Sequence, residues 1–300
     1  MADKIETLHG SLVQHGHVND RIYLMHLEAQ KTPRLIPALD RMAEENGYGK
    51  ILARIPDTHW EAFESAGYIE EAAVPRLYGG VIDGLFIAKF FSVKRETAGQ
   101  PLGPDSAPPV SSASARLQRA AFPVVACSPA DAKPLAALYR RVFESYAFPI
   151  RQPGYLGRAM AGHTVYFCIR VEGEIVSAAG AEIDFENLNC EMTDFATLPR
   201  FRGRGMAHRL LHRLDAEAEH HGLKTAYTIA RADSPSMNRV FRKNGYRYAG
   251  RLVRNTQIGG RIRSMEVWYK QFPVDNGGLE EEFKRPDREE DSPRLPSADA

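Results

Sequence analysis

One stretch constrains the fold more than any other. Residues 198–214, LPRFRGRGMAHRLLHRL, carry the pattern Arg200-x-x-Gly203-x-Gly205 just before an amphipathic repeat. Upstream, CEMTDFAT (190–197) reads as a strand. Downstream, Met206, Ala207, Leu210, Leu211, Leu214 and Ala218 recur with helical period, and Gly222 supplies the stop. The first N–H groups of a helix have no partner inside it and lie at the positive end of its dipole. Glycines there let the backbone approach an anion closely. Strand, glycine pair and helix start together predict a pyrophosphate cradle.

The stretch also holds five arginines and two histidines, which suggests a rival reading as a nucleic-acid patch. Composition argues against it. Lys plus Arg totals 39 against 38 for Asp plus Glu, a formal net charge of +1, whereas a phosphate-backbone binder is expected to be basic overall. No nucleic-acid partner is expected. Three dispersed cysteines without a CxxC point to free thiols in a reducing compartment. The most apolar run, GGVIDGLFIAKFF, is broken by Asp83 and Lys89 and is too short for a bilayer. The N-terminus has no signal-peptide core, so a soluble, cytoplasmic protein without a membrane partner is expected. His15 and His17 in QHGHVND have no second cluster to complete a metal site. They read as a polar loop or an interdomain contact, and no metal is expected.

Two segments lack core-forming residues: a Pro/Ser-rich linker over 96–117 and a charged tail over 273–300. They delimit a smaller α/β unit at 1–95 and a larger domain at 118–272. The larger one reads as strand (FPVVAC), a helix capped at Ser128, a hairpin (TVYFCIRV and IVSAAGAEID) and the strand 190–197. The glycine motif and its helix follow, then a strand (KTAYTIAR), a short helix with Ser234 at its N-cap and Gly245 at its end, and two closing strands. The fold class is mixed α/β, helices on a mostly antiparallel sheet. Phe63-x-x-x-Gly67-Tyr68, Gly79-Gly80 and a strand ending near Lys89 echo Phe241-x-x-x-Gly245-Tyr246, Gly259-Gly260 and a strand ending near Lys270. The echo suggests a duplication. The first copy has no glycine motif, so a cofactor site is expected only in the second.

The R-x-x-G-x-G turn, followed by a strand and an N-x-x-F-x-x-x-G-Y helix, resembles the GNAT superfamily of N-acetyltransferases. The resemblance implies a GNAT acyltransferase fold with acetyl-CoA as cosubstrate. Arg200 takes the motif position, and Arg202, Gly203, Arg204, Gly205, Met206 and Ala207 are the cradle. Phe195, Ala196, Thr197 and Leu198 lie along the pantetheine arm. Asn238 and Phe241 are further cofactor contacts. NCEMTDFATLPRFRGRG, ARADSPSMNRVFRKNGYRYAGRL and SMEVWYK, with the N-terminal QHGHVNDRIYLM and GYGKILARIP, are similar to the β-lysine N-acetyltransferases. The acceptor implied is the ε-amine of β-lysine, and the product a compatible solute used in osmoadaptation. Lysine, a polyamine or an aminoglycoside are alternative acceptors. A non-catalytic acetyl-CoA sensor is a further alternative.

A lysine-like ammonium has a pKa near 10.4 and must lose a proton before it attacks a thioester. Glu191, on the strand before the motif, is the candidate base, acting directly or through a water. Strand alternation puts Asp194 on the opposite face unless a bulge intervenes. It is assigned a substrate-ammonium contact, with a structural hydrogen-bonding role equally open. Arg231 and Asn255 are candidates for the substrate carboxylate, and a surface salt bridge is the alternative for Arg231. The tyrosine that often protonates the leaving thiolate in this family is here Phe241, which leaves Tyr246, a water or unassisted departure. Arg254 and Glu266 stand where the family pattern has asparagine. The N-terminal unit either completes the substrate pocket or supplies a dimerisation surface. The sequence leaves the oligomeric state open, a homodimer included.

Overall fold

In the computed structural model, which describes residues 3–96 and 122–273, the elements follow the hydrophobic pattern. The first half comprises β1 (Lys4–Leu8), β2 (Ser11–Gly16), β3 (Arg21–His26), α1 (Thr32–Asn46), β4 (Lys50–Pro56), α2 (Trp60–Ser65), β5 (Ile69–Tyr78), β6 (Ile82–Phe90) and the short α3 (Val93–Glu96). The second comprises β7 (Val124–Ala126), α4 (Ala132–Val142), α5 (Pro153–Ala161), β8 (Thr164–Val171), β9 (Glu174–Asp184), β10 (Asn189–Thr197), α6 (Met206–His220), β11 (Thr225–Arg231), α7 (Pro235–Lys243), β12 (Arg247–Ile258) and β13 (Arg261–Gln271). Except for Glu96 and Pro273, the linker and tail read from sequence lie outside the described residues.

The glycine stops act as expected. Gly222 and Gly245 sit at φ +68° and +83°, and the N–H groups that follow them bond back to Ala218 and Phe241. Ser234 occupies its N-cap position, but its hydroxyl makes no cap bond. Its carbonyl instead accepts from the N–H groups of Met237 and Asn238. The sequence reading missed α5, whose nine residues hold Gly154 and Gly157 and bury only Leu156, so the periodic signal is faint.

One 13-stranded sheet runs β1-β2-β3-β4-β6-β5-β12-β13-β11-β10-β9-β8-β7. Pairs β3·β4 and β10·β11 are parallel and the rest antiparallel. The order repeats: β1-β2-β3-β4-β6-β5 corresponds to β8-β9-β10-β11-β13-β12, with α1 and α6, then α2 and α7, in matching crossovers. The register makes the match residue by residue. Tyr23 faces Leu52 across β3·β4, as Glu191 faces Tyr227 across β10·β11. Ile51 pairs with Lys89, as Ala226 pairs with Lys270.

The sequence echo becomes a repeated structural unit. Phe63 and Tyr68 meet edge-on at 5.1 Å, and Phe241 and Tyr246 at 5.3 Å. Behind each tyrosine is a helix aspartate held by a strand lysine. Lys89 bonds Asp40 at 2.6 Å, and Tyr68 approaches Asp40 at 3.5 Å. Lys270 and Tyr246 both donate to Asp215, at 2.8 Å. A hydrogen bond to a buried charge contributes about 1.5–3 kcal/mol. Tyr246→Phe should therefore lower the unfolding free energy by about that amount, read as a shifted urea midpoint at constant m. An unmoved midpoint would show that the second unit does not depend on its Asp215 cluster.

Each half buries a core beneath its own helices, and a third core lies between the halves. Tyr23, Leu52 and Phe86 from the first sheet face meet Tyr227, Leu252, Met265 and Val267 from the second. The sheet passes from one half to the other through a single pair, Gly250 opposite Ala72. A Cβ on Gly250 would lie 2.2 Å from the Glu71 carbonyl oxygen and 2.6 Å from the Ala72 Cα. Both are backbone atoms and cannot swing aside. Gly250→Ala should thus destabilise the protein by about 1–3 kcal/mol, the usual range for overpacking, seen as a lower melting temperature. A wild-type melting temperature would mean that the junction can open freely.

Candidate active site

The parallel pairing of β10 with β11 is short. Asn189, Cys190 and Glu191 face Thr225, Ala226 and Tyr227, and then the ladder stops. The Thr228 hydroxyl still reaches the Met192 carbonyl at 2.7 Å, and beyond it the strands separate. A bulge between Thr193 and Ala196 turns β10 away, with Asp194 at φ +57°, a conformation Asp tolerates better than most residues. Between the diverging strands opens a cavity of about 510 Å³, walled by Thr193–Phe195, Ile229–Arg231, α7 and the loop before α6.

That loop is the glycine motif. Gly203 and Gly205 stand at φ +77° and +73°, Gly205 as the N-cap of α6, and no acidic residue occupies the helix's first turn. Beyond the adjoining residues of the chain, nothing lies within 4 Å of a Cβ built on either glycine, so their outer faces are open. Gly203, Gly205, Met206 and Ala207 all border the cavity, with Phe195, Thr197, Arg202 and Phe241. An anionic group can approach free helix N–H groups here, which is the fit a coenzyme A pyrophosphate requires.

The remaining predicted cofactor residues have other surroundings. Ala196 and Leu198 are buried, their backbones tied to the Ser177 hydroxyl and the Val176 carbonyl. Arg200 is exposed and bonds Glu174 at 2.6 Å, and Arg204 lies over Phe201. Asn238 uses both ends of its amide internally, donating to the Arg231 carbonyl at 3.1 Å and accepting from Trp268 at 3.2 Å.

The substrate-side candidates also separate. Arg231 borders the cavity with its guanidinium 3.7 Å from Asp233. Asn255 is not among the cavity residues. It is buried at the junction of the halves, where its carbonyl accepts from Arg21 at 2.8 Å. Neither Arg254 nor Glu266 borders the cavity, although Met265, next to Glu266 in the chain, does. Tyr246 donates to Asp215 and lies outside the cavity, so it is no proton source for a leaving thiolate.

The bulge brings Asp194 to the side of Glu191. Asp194 is 5% exposed and accepts hydrogen bonds from Tyr166 at 2.7 Å, from Tyr146 and from Thr193. Burial raises its carboxyl above the ordinary value, and these three donors oppose the rise. Burial also keeps the Tyr146 and Tyr166 phenols protonated as donors. Glu191 is not part of the cavity wall. It stands two residues from Thr193 on the same strand face, so a water can bridge it to the cavity. Burial pushes its carboxyl up to about 6, opposed by the positive charge of Arg54 and the Tyr227 hydrogen bond, with Asp194 adding to the rise.

Four side chains around Glu191 and Asp194 escaped the sequence reading. Glu182 faces Glu191 directly across β9·β10. Its side chain reaches solvent, yet the protein packed around it and the charges of Glu191 and Asp194 push its carboxyl up to about 8. The hairpin turn at 185–188 carried that register in the sequence. Tyr146, Tyr227 and Arg54 had no such signal.

These features fit an acyl-coenzyme A-dependent transferase, and the comparisons show the family. The acetyltransferase (GNAT) family profile matches residues 133–246. The β-lysine N(6)-acetyltransferase of Methanococcus maripaludis is 34% identical over 274 residues, 89% of this chain and 98% of that protein. The β-lysine N(6)-acetyltransferase of Methanosarcina mazei is 37% identical over 143 residues, 48% of this chain and 53% of that protein. The N-acetyltransferase YodP of Bacillus subtilis is 36% identical over 142 residues, 47% and 52% of the respective chains. The chain belongs to the GNAT acetyltransferase family and is an acyltransferase. Among the described residues no helix is long and apolar enough to cross a membrane, and no three His, Cys, Asp or Glu side chains group as metal ligands.

Proposed function

We propose that this enzyme transfers acetyl from acetyl-CoA to the ε-amine of β-lysine. The observation that carries the acceptor is the similarity to a β-lysine N(6)-acetyltransferase along 98% of that protein's length. In this reading the product, Nε-acetyl-β-lysine, is a compatible solute made in the cytoplasm, and the first half is a repeat that has lost its cofactor loop. Tyr23 at the position matching Glu191 supports that loss.

Acetyl-CoA, when bound, supplies the thioester carbon that the amine attacks. Gly203, Gly205, Met206 and Ala207 hold the pyrophosphate through backbone N–H groups, with Arg202 beside them. Phe195 and Thr197 border the path toward Asp194, and Phe241 packs against Phe195 at 5.5 Å. Glu191 takes the ammonium proton through a water, so the free amine is the nucleophile. Backbone N–H groups released where β10 leaves β11 stabilise the oxyanion. With Phe241 unable to donate and Tyr246 engaged elsewhere, water protonates the departing thiolate. Asp194, held by Tyr146 and Tyr166, shapes the acceptor end. In this reading Glu182 takes the second ammonium and Arg231 the carboxylate of the acceptor, while Asn255, away from the cavity, takes neither.

Free-thiol release from acetyl-CoA, with β-lysine, α-lysine, spermidine and a peptide amine offered in turn, tests the acceptor. The expected result is release with β-lysine at the highest kcat/KM. Release with spermidine or peptide alone would overturn the acceptor, and cofactor binding without release from any amine would point to a sensor. Because the base must be ionised, kcat/KM should fall as pH drops through about 6, where the Glu191 carboxyl gains its proton.

A further inference from the structure

The first half has no glycine loop and no counterpart of Glu191, yet its β4 reaches the base of the second half. Arg54 donates through Nη1 to the Tyr227 hydroxyl, and through Nη2 to the Met25 carbonyl at 3.1 Å. The Tyr227 hydroxyl in turn donates to Glu191 Oε2 at 3.2 Å. The guanidinium also packs against the Tyr227 ring, 5.5 Å from its centroid. Tyr227 thus has its oxygen lone pair taken by a cation and its proton directed at the carboxylate. A phenol held this way cannot turn from Glu191 without breaking the bond to Arg54.

We infer that Arg54 is a positioning residue for acyl transfer: acting through Tyr227, it orients the Glu191 carboxylate and favours its ionised form, so the degenerate first repeat completes the active site of the second. This rests on the assignment of Glu191 as base. The other titratable groups around Glu191 give the effect its sign. Glu182 on β9 and Asp194 on β10 oppose its ionisation, and Tyr23 on β3, Tyr146 before α5 and Tyr155 on α5 are neutral phenols nearby. Cys190, the neighbour on β10, is buried and protonated. Arg54 is the cation that offsets the two carboxylates. An opposite charge within about 4–6 Å moves a carboxyl by about 1–3 pH units.

The test is the pH profile of kcat/KM, with acetyl-CoA affinity measured alongside, for Arg54→Gln, Arg54→Lys, Tyr227→Phe and Glu191→Gln. The expected result is an acid limb moved upward by about 1–2 pH units in Arg54→Gln, a smaller upward move in Tyr227→Phe, and partial return toward wild type in Arg54→Lys. Acetyl-CoA affinity should be unchanged in all four variants. A limb that stays in place in both Arg54→Gln and the isosteric Tyr227→Phe overturns the inference, even if kcat falls, because a merely structural role lowers activity without moving the limb. A limb that survives in Glu191→Gln instead overturns the base assignment. If Arg54→Gln fails to fold, the decision rests on Tyr227→Phe, which keeps the ring contacts.

Discussion

Glu191→Gln is expected to lower kcat by about 10²–10⁴-fold, the usual contribution of a positioned general base, while acetyl-CoA binds as in wild type. The amide keeps the shape of the carboxylate and can still accept from the Tyr227 hydroxyl, 3.2 Å away in the native protein. What it loses is the capacity to take a proton. Removing a negative charge opposite Glu182 also relieves the repulsion that raises both carboxyls, so the variant should be at least as stable as wild type. The pairing of lost turnover with retained stability separates a catalytic loss from a folding one. Turnover within about threefold of wild type at pH 8 would remove Glu191 as base and shift attention to Glu182, its partner across the strands.

Gly203→Val should act on binding instead, weakening acetyl-CoA affinity by about 100-fold or more. Two effects add. A β-branched residue at φ +77° is strained by about 1–3 kcal/mol, and relaxing that strain moves the loop from its anion-binding geometry. If the loop holds its shape, the isopropyl group projects into the open space beside Gly203, where nothing beyond the adjoining residues of the chain lies within 4 Å. The same openness means that the side chain meets no clash in the fold, so in the absence of cofactor stability should fall by no more than that strain, about 1–3 kcal/mol. Calorimetric titration with coenzyme A gives the answer: wild-type affinity in Gly203→Val would show that the pyrophosphate does not lie over this turn.

Parts of this protein were legible before its structure. The strands from 164 to 197, the helix from Met206 and the glycine stops all follow from short contiguous patterns, and they stand where the patterns put them. The echo of Phe63–Tyr68 in Phe241–Tyr246 pointed to a repeat, and the matching strand order extends it to both halves of the sheet. Asp194 shows the limit of such reading. Alternation sets it against Glu191, but a bulge with one residue at positive φ reverses the direction. Nothing in NCEMTDFAT marks the place of a bulge, because it is set by how β10 must fit β9 on one side and leave β11 on the other. Asn238 and Tyr246 show a different limit. Their residue types suit cofactor chemistry, yet their polar atoms are bonded to Arg231, Trp268 and Asp215.

The sequence by itself determined the turn proposed as the anion cradle, because a strand end, two glycines and a helix start are adjacent in the chain and their geometry is local. Only the tertiary structure decided the ionisation of Glu191. Glu191 gets its proton affinity from its burial, then from Arg54, Tyr227 and Asp194, and the bond from Arg54 to Tyr227 joins residues 173 positions apart, one from each repeat. Electrostatic effects fall with distance in space and ignore distance along the chain. The residues that set a carboxylate's ionisation are therefore named by how the two halves of one sheet meet, which no local pattern records.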